Sequence, residues 1–339
     1  MRRMFVASIV LMLLHIGCGD LIVDSPESNY NMEDFEAAWN AINNVYPLLD
    51  YKQIDWDSIH TVYRVRTETA KGDEFYQVLF DLLRELRDPH VYLLNKGRGL
   101  IRPYLGVRYI KDEDAYSPLV VRRYFGSTLQ LACRDEVEYG ILHDNIGYIH
   151  IATFDDEGTL EDFGSVLDQM MDTRALIIDV RQNAGGLLAN VNIVVSRFIV
   201  SPLAYMQGFT KGGVPYNEDP VQPNATEPRY VNSVVVLMNG TTISVGEIFA
   251  ELMCQLPTVT ILGDTSVGAA CNDIADDIEG DYFLPSGKYI HVGTTYACRF
   301  DGVPIDENGI PPDIRVAQTR VDIDEGTDKQ LEYAIEILR

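Results

Sequence analysis

Two short apolar runs, at residues 175–179 and 233–238, are the clearest elements in the hydrophobic pattern of the chain. Both are continuous and rich in β-branched residues, which is typical of strands that are covered on both faces. Each run ends in a turn of small and polar residues, and an apolar segment follows it, at residues 187–200 and 245–254. The pattern therefore predicts two strand–turn–helix units that deliver their turns to one edge of a sheet.

The rest of the chain divides into segments with different periodicity. Apolar residues near helical spacing occupy residues 32–95 and predict an N-terminal helical subdomain. Residues 96–140 contain strand-like patches at 104–110 and 119–124, which predict a small β-rich segment. Residues 141–339 alternate strand and helix patterns and are predicted to form the core.

The N-terminus has the features of a bacterial export signal. In residues 1–17, two arginines precede an apolar run at 4–14 that is too short to span a bilayer. The following Ile-Gly-Cys18 resembles a lipobox. We therefore expect a lipoprotein anchored through Cys18 in the cell envelope, facing the periplasm or the cell surface, with residues 18–31 as anchor and tether. Cleavage by an ordinary signal peptidase is the alternative.

Composition narrows the possible partners and cofactors. The 339 residues are 46% hydrophobic and 23% charged, with a formal net charge of −24. A surface this acidic repels nucleic acid, so no nucleic-acid partner is expected. The sequence has no H-E-x-x-H, no paired C-x-x-C and no glycine-rich phosphate motif, so it predicts neither a metal ion nor a cofactor.

Four further cysteines would enter an oxidising compartment if the chain is exported. They are Cys133, Cys254, Cys271 and Cys298. Cys271 and Cys298 are a plausible pair because both are expected on strands of the C-terminal region. Cys254 lies among apolar residues, which favours a buried free thiol. Sequence alone leaves the pairing open.

The turns that follow the two apolar runs contain candidate catalytic groups. The first is Asp179-Val-Arg-Gln-Asn-Ala-Gly-Gly186 and the second is Asn239-Gly-Thr-Thr-Ile-Ser-Val-Gly-Glu247. Backbone N–H groups at helix N-termini are unpaired, so the glycine amides and Ser244 are suited to binding an oxyanion. The structural alternative is that Ser244 is an ordinary helix N-cap and that Glu247 completes a capping box.

These two turns resemble those of the C-terminal processing (tail-specific) serine peptidase family. Three other segments share the likeness: residues 35–94 resemble the helical N-terminal part of the family, residues 147–151 the strand that opens its core, and residues 309–314 its closing segment. The resemblance implies an α/β fold, with a Clp/crotonase-like core of stacked βα units behind a helical subdomain and a small β-rich insert. Only 45 residues, 96–140, are available for an insert, roughly half a PDZ domain, so no full PDZ domain is expected.

The resemblance also implies roles for individual residues. Ser244 is the nucleophile, and the amides of Gly186 and Val245 form the oxyanion hole. A second group is expected to hold the first turn in place rather than to take part in the chemistry. It consists of Asp179, Arg181, Asn183 and Gly185.

One departure from the family pattern changes the expected base. Members with a Ser/Lys dyad have a lysine where this chain has Ala269. The chain is in this respect nearer the tricorn-like branch, in which a histidine is the general base, and His90 in Asp-Pro-His occupies the equivalent segment. By the same resemblance Glu307 orients the histidine, with Asp306 as a rival. Without the resemblance, His90 would be read as a capping residue at a helix end.

The resemblance implies a serine peptidase that cleaves extended or unfolded polypeptides through an acyl-enzyme. Two alternatives remain. Loss of the lysine is compatible with an inactive member that binds peptide or another ligand as a lipoprotein. The related crotonase fold also admits an acyl-CoA enzyme, although an exported acidic chain lacks the basic residues that bind nucleotide phosphates.

Overall fold

The structure, a computed structural model, describes residues 30–95, 99–126, 129–155, 157–203, 206–216, 224–271 and 280–339. The predicted signal peptide, Cys18 and most of the tether lie outside these residues. The described helices are α1 (Asn31–Val45), α2 (Trp56–Thr69), α3 (Asp73–Arg84), α4 (Val107–Asp112), α5 (Pro118–Arg123), α6 (Phe163–Asp168), α7 (Leu188–Val195), α8 (Val245–Met253), α9 (Arg320–Asp324) and α10 (Lys329–Ile337). None of these helices is long and apolar enough to cross a bilayer.

The strands that the structure describes form three sheets. They are β1 (Tyr92–Asn95), β2 (Gly99–Ile101), β3 (Gln130–Ala132), β4 (Val137–Leu142), β5 (Ile146–Ile151), β6 (Ala175–Asp179), β7 (Gln207–Thr210), β8 (Val214–Pro215), β9 (Ser233–Met238), β10 (Val259–Gly263), β11 (Asp281–Phe283), β12 (Tyr289–His291), β13 (Thr295–Cys298) and β14 (Ile314–Arg315). The largest sheet has seven strands in the order β14-β10-β9-β6-β5-β4-β3. Its strands β5, β6, β9, β10 and β14 are parallel, whereas β3 and β4 pair antiparallel at one edge.

Alternate residues of the central strands face two different hydrophobic cores. In β6, Leu176 and Ile178 pack into the core that contains α6, α7 and α8, whereas Ala175 and Ile177 face α5 and α10. Because successive side chains of a strand point to opposite faces, a strand buried on both faces must be apolar throughout. This explains the two continuous runs, whose predicted bounds match β6 and β9.

A third core lies under the N-terminal helices. Side chains of α1, α2 and α3 pack with residues of β1 and β12, and the small sheet that covers them has the order β11-β12-β1-β2. In this sheet β1 pairs with β12, so a strand that follows the helices pairs with a strand from the C-terminal part of the chain. The helical subdomain and the core are therefore joined through one sheet.

Several sequence predictions for residues 96–140 were wrong. The patches at 104–110 and 119–124, predicted as strands, overlap helices α4 and α5. Short apolar runs do not distinguish strand from helix, and Pro118 at the first turn of α5 favours a helix start. The predicted core boundary at residue 141 also falls inside β4, which pairs with β5 along its whole length.

The cysteine predictions were also wrong in part. All four described cysteines are free thiols, so Cys271 and Cys298, the plausible pair among the pairings that the sequence left open, are not bonded to each other. Cys254 is exposed rather than buried, and its thiol donates a hydrogen bond to the Glu251 carbonyl at 3.0 Å. It lies at the C-terminal end of α8, where the helix reaches the surface and the apolar pattern of the sequence no longer implies burial.

Candidate active site

Ser244 lies in a strained turn between β9 and α8. Its backbone angles are φ 58° and ψ −126°, a conformation that residues with a side chain rarely adopt. Its amide donates to the Ala269 carbonyl at 3.1 Å and to Glu247 Oε2 at 3.1 Å. The serine is therefore held by its backbone, and Glu247 forms a capping box with it at the start of α8.

The glycine turn after β6 contacts this serine directly. A Cβ atom on Gly185 would lie 2.7 Å from Ser244 Cβ, and one on Gly186 would lie 2.1 Å from the backbone carbon of Phe154. Both glycines also have positive φ values, 88° and 134°. Because neither position has a side chain, the first turn can lie against Ser244 at Gly185 and against the Phe154 backbone at Gly186.

Two amides near Ser244 have no acceptor within the described part of the chain. They belong to Gly186 and to Val245, the first residue of α8. The neighbouring Gly185 amide, in contrast, donates to Asn183 Oδ1 at 2.9 Å. Unpaired amides at a helix N-terminus and in an adjacent glycine turn can stabilise a developing negative charge on oxygen.

Glu247 holds the Ser244 turn in place. Its carboxylate is fully buried and accepts hydrogen bonds from Ser266 Oγ at 2.6 Å, from the Gly268 amide at 2.7 Å and from the Ala269 amide at 2.9 Å, besides the Ser244 amide. Burial raises the pKa of Glu247 although these hydrogen bonds oppose the shift. Four donors on one carboxyl group indicate a structural role that ties the serine to segment 266–269.

Asp179 and Arg181 form a buried network at the start of the glycine turn. Arg181 donates from Nε and Nη2 to the two oxygens of Asp179, at 2.9 and 2.6 Å, and from Nη1 to Asp328 at 2.8 Å. Burial alone would raise the pKa of Asp179, but the charge and hydrogen bonds of Arg181 outweigh it and hold that pKa below its ordinary value. Asn183 completes the turn by donating to the Ile151 carbonyl at 3.0 Å.

His90 follows α3 and belongs to the N-terminal part of the chain. Its amide donates to Asp88 Oδ1 at 2.8 Å, and its ring nitrogen Nδ1 lies 4.0 Å from the same oxygen. Burial lowers the pKa of His90 to about 4; Asp88 opposes this shift, whereas Arg102, His291 and Lys52 add to it. In the described residues no hydrogen bond joins the ring to Ser244.

Segment 266–271 connects the serine turn to the histidine turn. Its residues 268 and 269 contact Glu247 and Ser244, as described above. At its other end, Cys271 lies beside Asp88, and their side-chain ligand atoms approach within 4.8 Å. Ala269 occupies the position of the missing lysine and is fully buried. The contacts of this segment with Ser244 and with Asp88 are thus only two residues apart, at Ala269 and Cys271.

The two candidate orienting carboxyl groups have different surroundings. Glu307 is 36% exposed, and its carboxylate pairs with Arg87 Nε at 2.9 Å. Asp306 is buried, and its Oδ1 accepts the amides of Ala270 and Cys271 at 3.2 and 3.0 Å. The ion pair turns Glu307 toward the surface, so the structure does not place its carboxylate on His90.

A buried polar cluster lies beside His90 and was not predicted from the sequence. Within the described ranges, one group of side chains has ligand atoms close enough to suggest a metal, namely Asp88, Cys271 and Asp306. The ammonium group of Lys52 already lies 3.9 Å from Asp88, however, and supplies the positive charge that a cation would bring. No sequence pattern marks Lys52, because its partners are distant along the chain.

The fold and the serine turn define a mixed α/β protein with a candidate serine nucleophile between a buried strand and a helix. The family model of peptidase family S41 matches residues 145–316, which is half of the chain, and the model of the tricorn protease C1 domain matches residues 29–84. The chain therefore belongs to peptidase family S41. The predicted resemblance to its C-terminal processing and tricorn-like members is confirmed, and the C1 match covers the N-terminal helices.

Individual relatives agree with this assignment. The carboxy-terminal processing protease CtpB of Bacillus subtilis (strain 168) is 27% identical over 167 residues, which cover 43% of this chain and 32% of that protein. This chain thus spans about a third of that relative. A solved structure from Parabacteroides merdae ATCC 43184 is similar with a TM-score of 0.79 at 24% identity, covering 91% of this chain and 97% of that one. Mature CPAF complexed with lactacystin has a TM-score of 0.68 at 13% identity, covering 92% and 98%. These likenesses confirm the predicted α/β fold.

Proposed function

We propose that this protein hydrolyses peptide bonds in extended or unfolded polypeptides, with Ser244 as the nucleophile and His90 as the general base. The observation that carries the proposal is the Ser244 turn, in which a strained serine lies beside the two unpaired amides of Gly186 and Val245. A serine hydroxyl needs a base to become a good nucleophile. His90 lies beside Asp88, which approaches Cys271 in the same segment that contacts Ser244 through Ala269.

The proposed reaction has two stages. His90 accepts the Ser244 proton as the hydroxyl oxygen attacks the carbonyl carbon, and the amides of Gly186 and Val245 bind the oxyanion. The protonated imidazole then gives its proton to the leaving amine, which produces the acyl-enzyme and a shortened polypeptide. Water attacks the ester in the second stage, again with His90 as the base, and restores Ser244. Each oxyanion donor typically contributes about 3–4 kcal/mol to lowering the barrier.

A cleft beside His90 is a candidate site for the polypeptide. It is bounded by Pro89, by residues 104–108 and by the edge of segment 266–271 at Val267 and Gly268. Pro89 belongs to the histidine turn, and Gly268 belongs to the segment that Glu247 ties to the serine turn. An extended chain that enters such a cleft can bind through main-chain hydrogen bonds, which do not depend on its sequence.

A fluorophosphonate probe tests the proposal directly, because it forms a covalent bond only with an activated serine. We expect the purified full chain to be labelled at Ser244, as located by peptide mass spectrometry, and to cleave a reduced, alkylated protein faster than the same protein in its folded form. A folded chain that neither reacts with the probe nor cleaves the unfolded protein would support the alternative of a binding protein.

The low pKa of His90 gives a second test. The base must be neutral, so activity is lost as pH falls through the pKa of His90, which burial sets at about 4. We expect the acid limb of kcat/KM, which reports the free enzyme, to have its midpoint near pH 4 rather than near the ordinary histidine value of about 6.5. Samples held at pH 4 and assayed at pH 7 control for unfolding. A midpoint near 6.5 would contradict the buried environment of the base.

A further inference from the structure

Asp88 lies at the centre of the buried polar cluster beneath His90. We call Tyr46, Lys52, Asp88, Cys271 and Asp306 the base cluster. Asp88 Oδ2 accepts a hydrogen bond from the Tyr46 hydroxyl at 2.8 Å, and Lys52 Nζ lies 3.9 Å from the same oxygen. The side chains of Lys52 and Asp88 are 1% and 0% exposed. A buried charge pair of this kind persists only when further hydrogen bonds satisfy both partners.

Lys52 has such hydrogen bonds, and they fix the backbone that leads into the His90 turn. Its ammonium group donates to the Tyr46 hydroxyl at 2.8 Å, to the Leu86 carbonyl at 3.1 Å and to the Arg87 carbonyl at 3.2 Å. The two carbonyls immediately precede Asp88 in the chain. One lysine therefore restrains both the path of the main chain and the second oxygen of the carboxylate.

The other oxygen of Asp88 faces His90. Oδ1 accepts the His90 amide at 2.8 Å and lies 4.0 Å from Nδ1. Nδ1 is buried and has no hydrogen-bond partner among the residues described. A ring movement of about 1 Å would bring it within hydrogen-bond distance, and catalytic hydrogen bonds commonly shorten only when substrate is bound.

We propose that Asp88 is the positioning residue for His90, accepting the Nδ1–H hydrogen bond in the substrate complex while Tyr46 and Lys52 hold its other oxygen. This inference rests on the proposed function. When Nε2 takes the Ser244 proton, the Nδ1 proton stays on the ring, and the Asp88 carboxylate stabilises the imidazolium without becoming protonated. The orientation of the base is thus set by residues of the N-terminal helical part.

The two carboxyl groups suggested by sequence are less suited to this role. Glu307 is occupied by its ion pair with Arg87. Burial, together with the nearby charge of Asp88, raises the pKa of Asp306 to about 8. Its Oδ1 accepts the amides of Ala270 and Cys271 at 3.2 and 3.0 Å, so this oxygen is committed to segment 266–271 rather than to the His90 ring.

The Asp88→Asn variant tests the proposal. The asparagine oxygen can still accept the His90 amide, but the change leaves the buried Lys52 ammonium group without its counter-charge, so a lower melting temperature is expected and thermal unfolding would establish that the chain is folded at the assay temperature. We expect kcat to fall by about 100-fold or more while KM changes by less than about threefold, because orientation of the base matters in the transition state. The matched control is Asp144→Asn, an exposed change of the same chemistry beside Arg339.

A pH titration separates positioning from a merely structural role. The groups that face His90 are Asp88, Arg102, His291 and Lys52, and only Asp88 raises its pKa. Removing that charge should therefore move the acid limb of kcat/KM to lower pH, whereas a structural defect that exposes the ring to water would move the limb up toward the ordinary histidine value. The same titration followed by NMR of the His90 ring needs no activity, so it stays informative even if the chain is not a peptidase.

The rival carboxyl groups define the contrary results. We expect Asp306→Asn and Glu307→Gln to lower kcat less than Asp88→Asn and to leave the acid limb unmoved. The proposal is overturned if Asp88→Asn keeps the parental kcat and His90 titration, or if either rival variant produces the loss and the shift instead. Tyr46→Phe removes one of the donors to Asp88 and should give a smaller loss of kcat in the same direction.

Discussion

Replacing Ser244 with alanine is expected to lower kcat by about 10⁶-fold, to the level of the uncatalysed background, because no other group can form the acyl-enzyme. The fold should survive the change. The turn is held by the two hydrogen bonds of the Ser244 amide, to the Ala269 carbonyl and to Glu247, and alanine keeps both. Hydrolysis of an unfolded protein and covalent labelling by the fluorophosphonate would both be measured.

Ser266→Ala is the control on the same structural unit. Ser266 Oγ donates to Glu247 and accepts the Ile310 amide at 2.7 Å, so the variant is expected to lose stability while the probe still labels Ser244. If the Ser244→Ala protein, shown to be folded, retained the labelling and activity of the parent, Ser244 would not be the nucleophile.

The largest effect on stability is expected from Arg181→Met. Arg181 is completely buried between Asp179 and Asp328, and methionine of similar length would leave both carboxylates without a counter-charge. Removing one partner of a buried ion pair typically costs about 3–5 kcal/mol, which is a large share of the free energy of unfolding of an ordinary domain. Chemical denaturation at pH 7, followed by circular dichroism, would measure this loss.

Arg320→Met provides the comparison. Arg320 pairs with Asp324 four residues along α9, and both side chains are 59% exposed, so less than about 1 kcal/mol is expected. Equal denaturation midpoints for the two variants would show that the buried network contributes no more than a surface pair.

Labelling by the probe should also fall in Arg181→Met, because Arg181 anchors the strand end from which the glycine turn begins.

The sequence was most informative where burial on both faces makes a strand apolar throughout. The bounds of β6 and β9 and the two turns after them follow from that constraint. Helix α5 was predicted as a strand because Leu119, Val120 and Val121 form an apolar run that suits a strand equally well, although Pro118 before the run favours a helix start. Val121 and Phe125 pack into the core on one face of the central sheet.

The candidate site likewise has one part that the sequence predicts and one part that it does not. Ser244 and its glycine turn belong to local motifs, whereas the surroundings of His90 depend on contacts between distant residues. Lys52 and Tyr46 contact Asp88 from the segment that follows α1, and Cys271 approaches it from the C-terminal part of the chain. Periodicity and motif spacing contain no information about such contacts. The choice between Glu307 and Asp306 as the orienting residue likewise depends on which of the two side chains is buried. The sequence of a loop does not show which of two adjacent side chains points inward.

Pairing between β1 and β12 has a consequence for how the molecule would lose activity. The histidine follows helices that have their own hydrophobic core, whereas Val245, next to the serine, packs in a different core. The β1–β12 pairing, which we call the seam, has three residue pairs and is one of the links between these two parts. Local opening of the seam would separate base from nucleophile while the seven-stranded sheet stayed intact. Inactivation on heating would then precede the loss of circular dichroism, and catalysis would be the more sensitive reporter of how the two parts of the chain are docked.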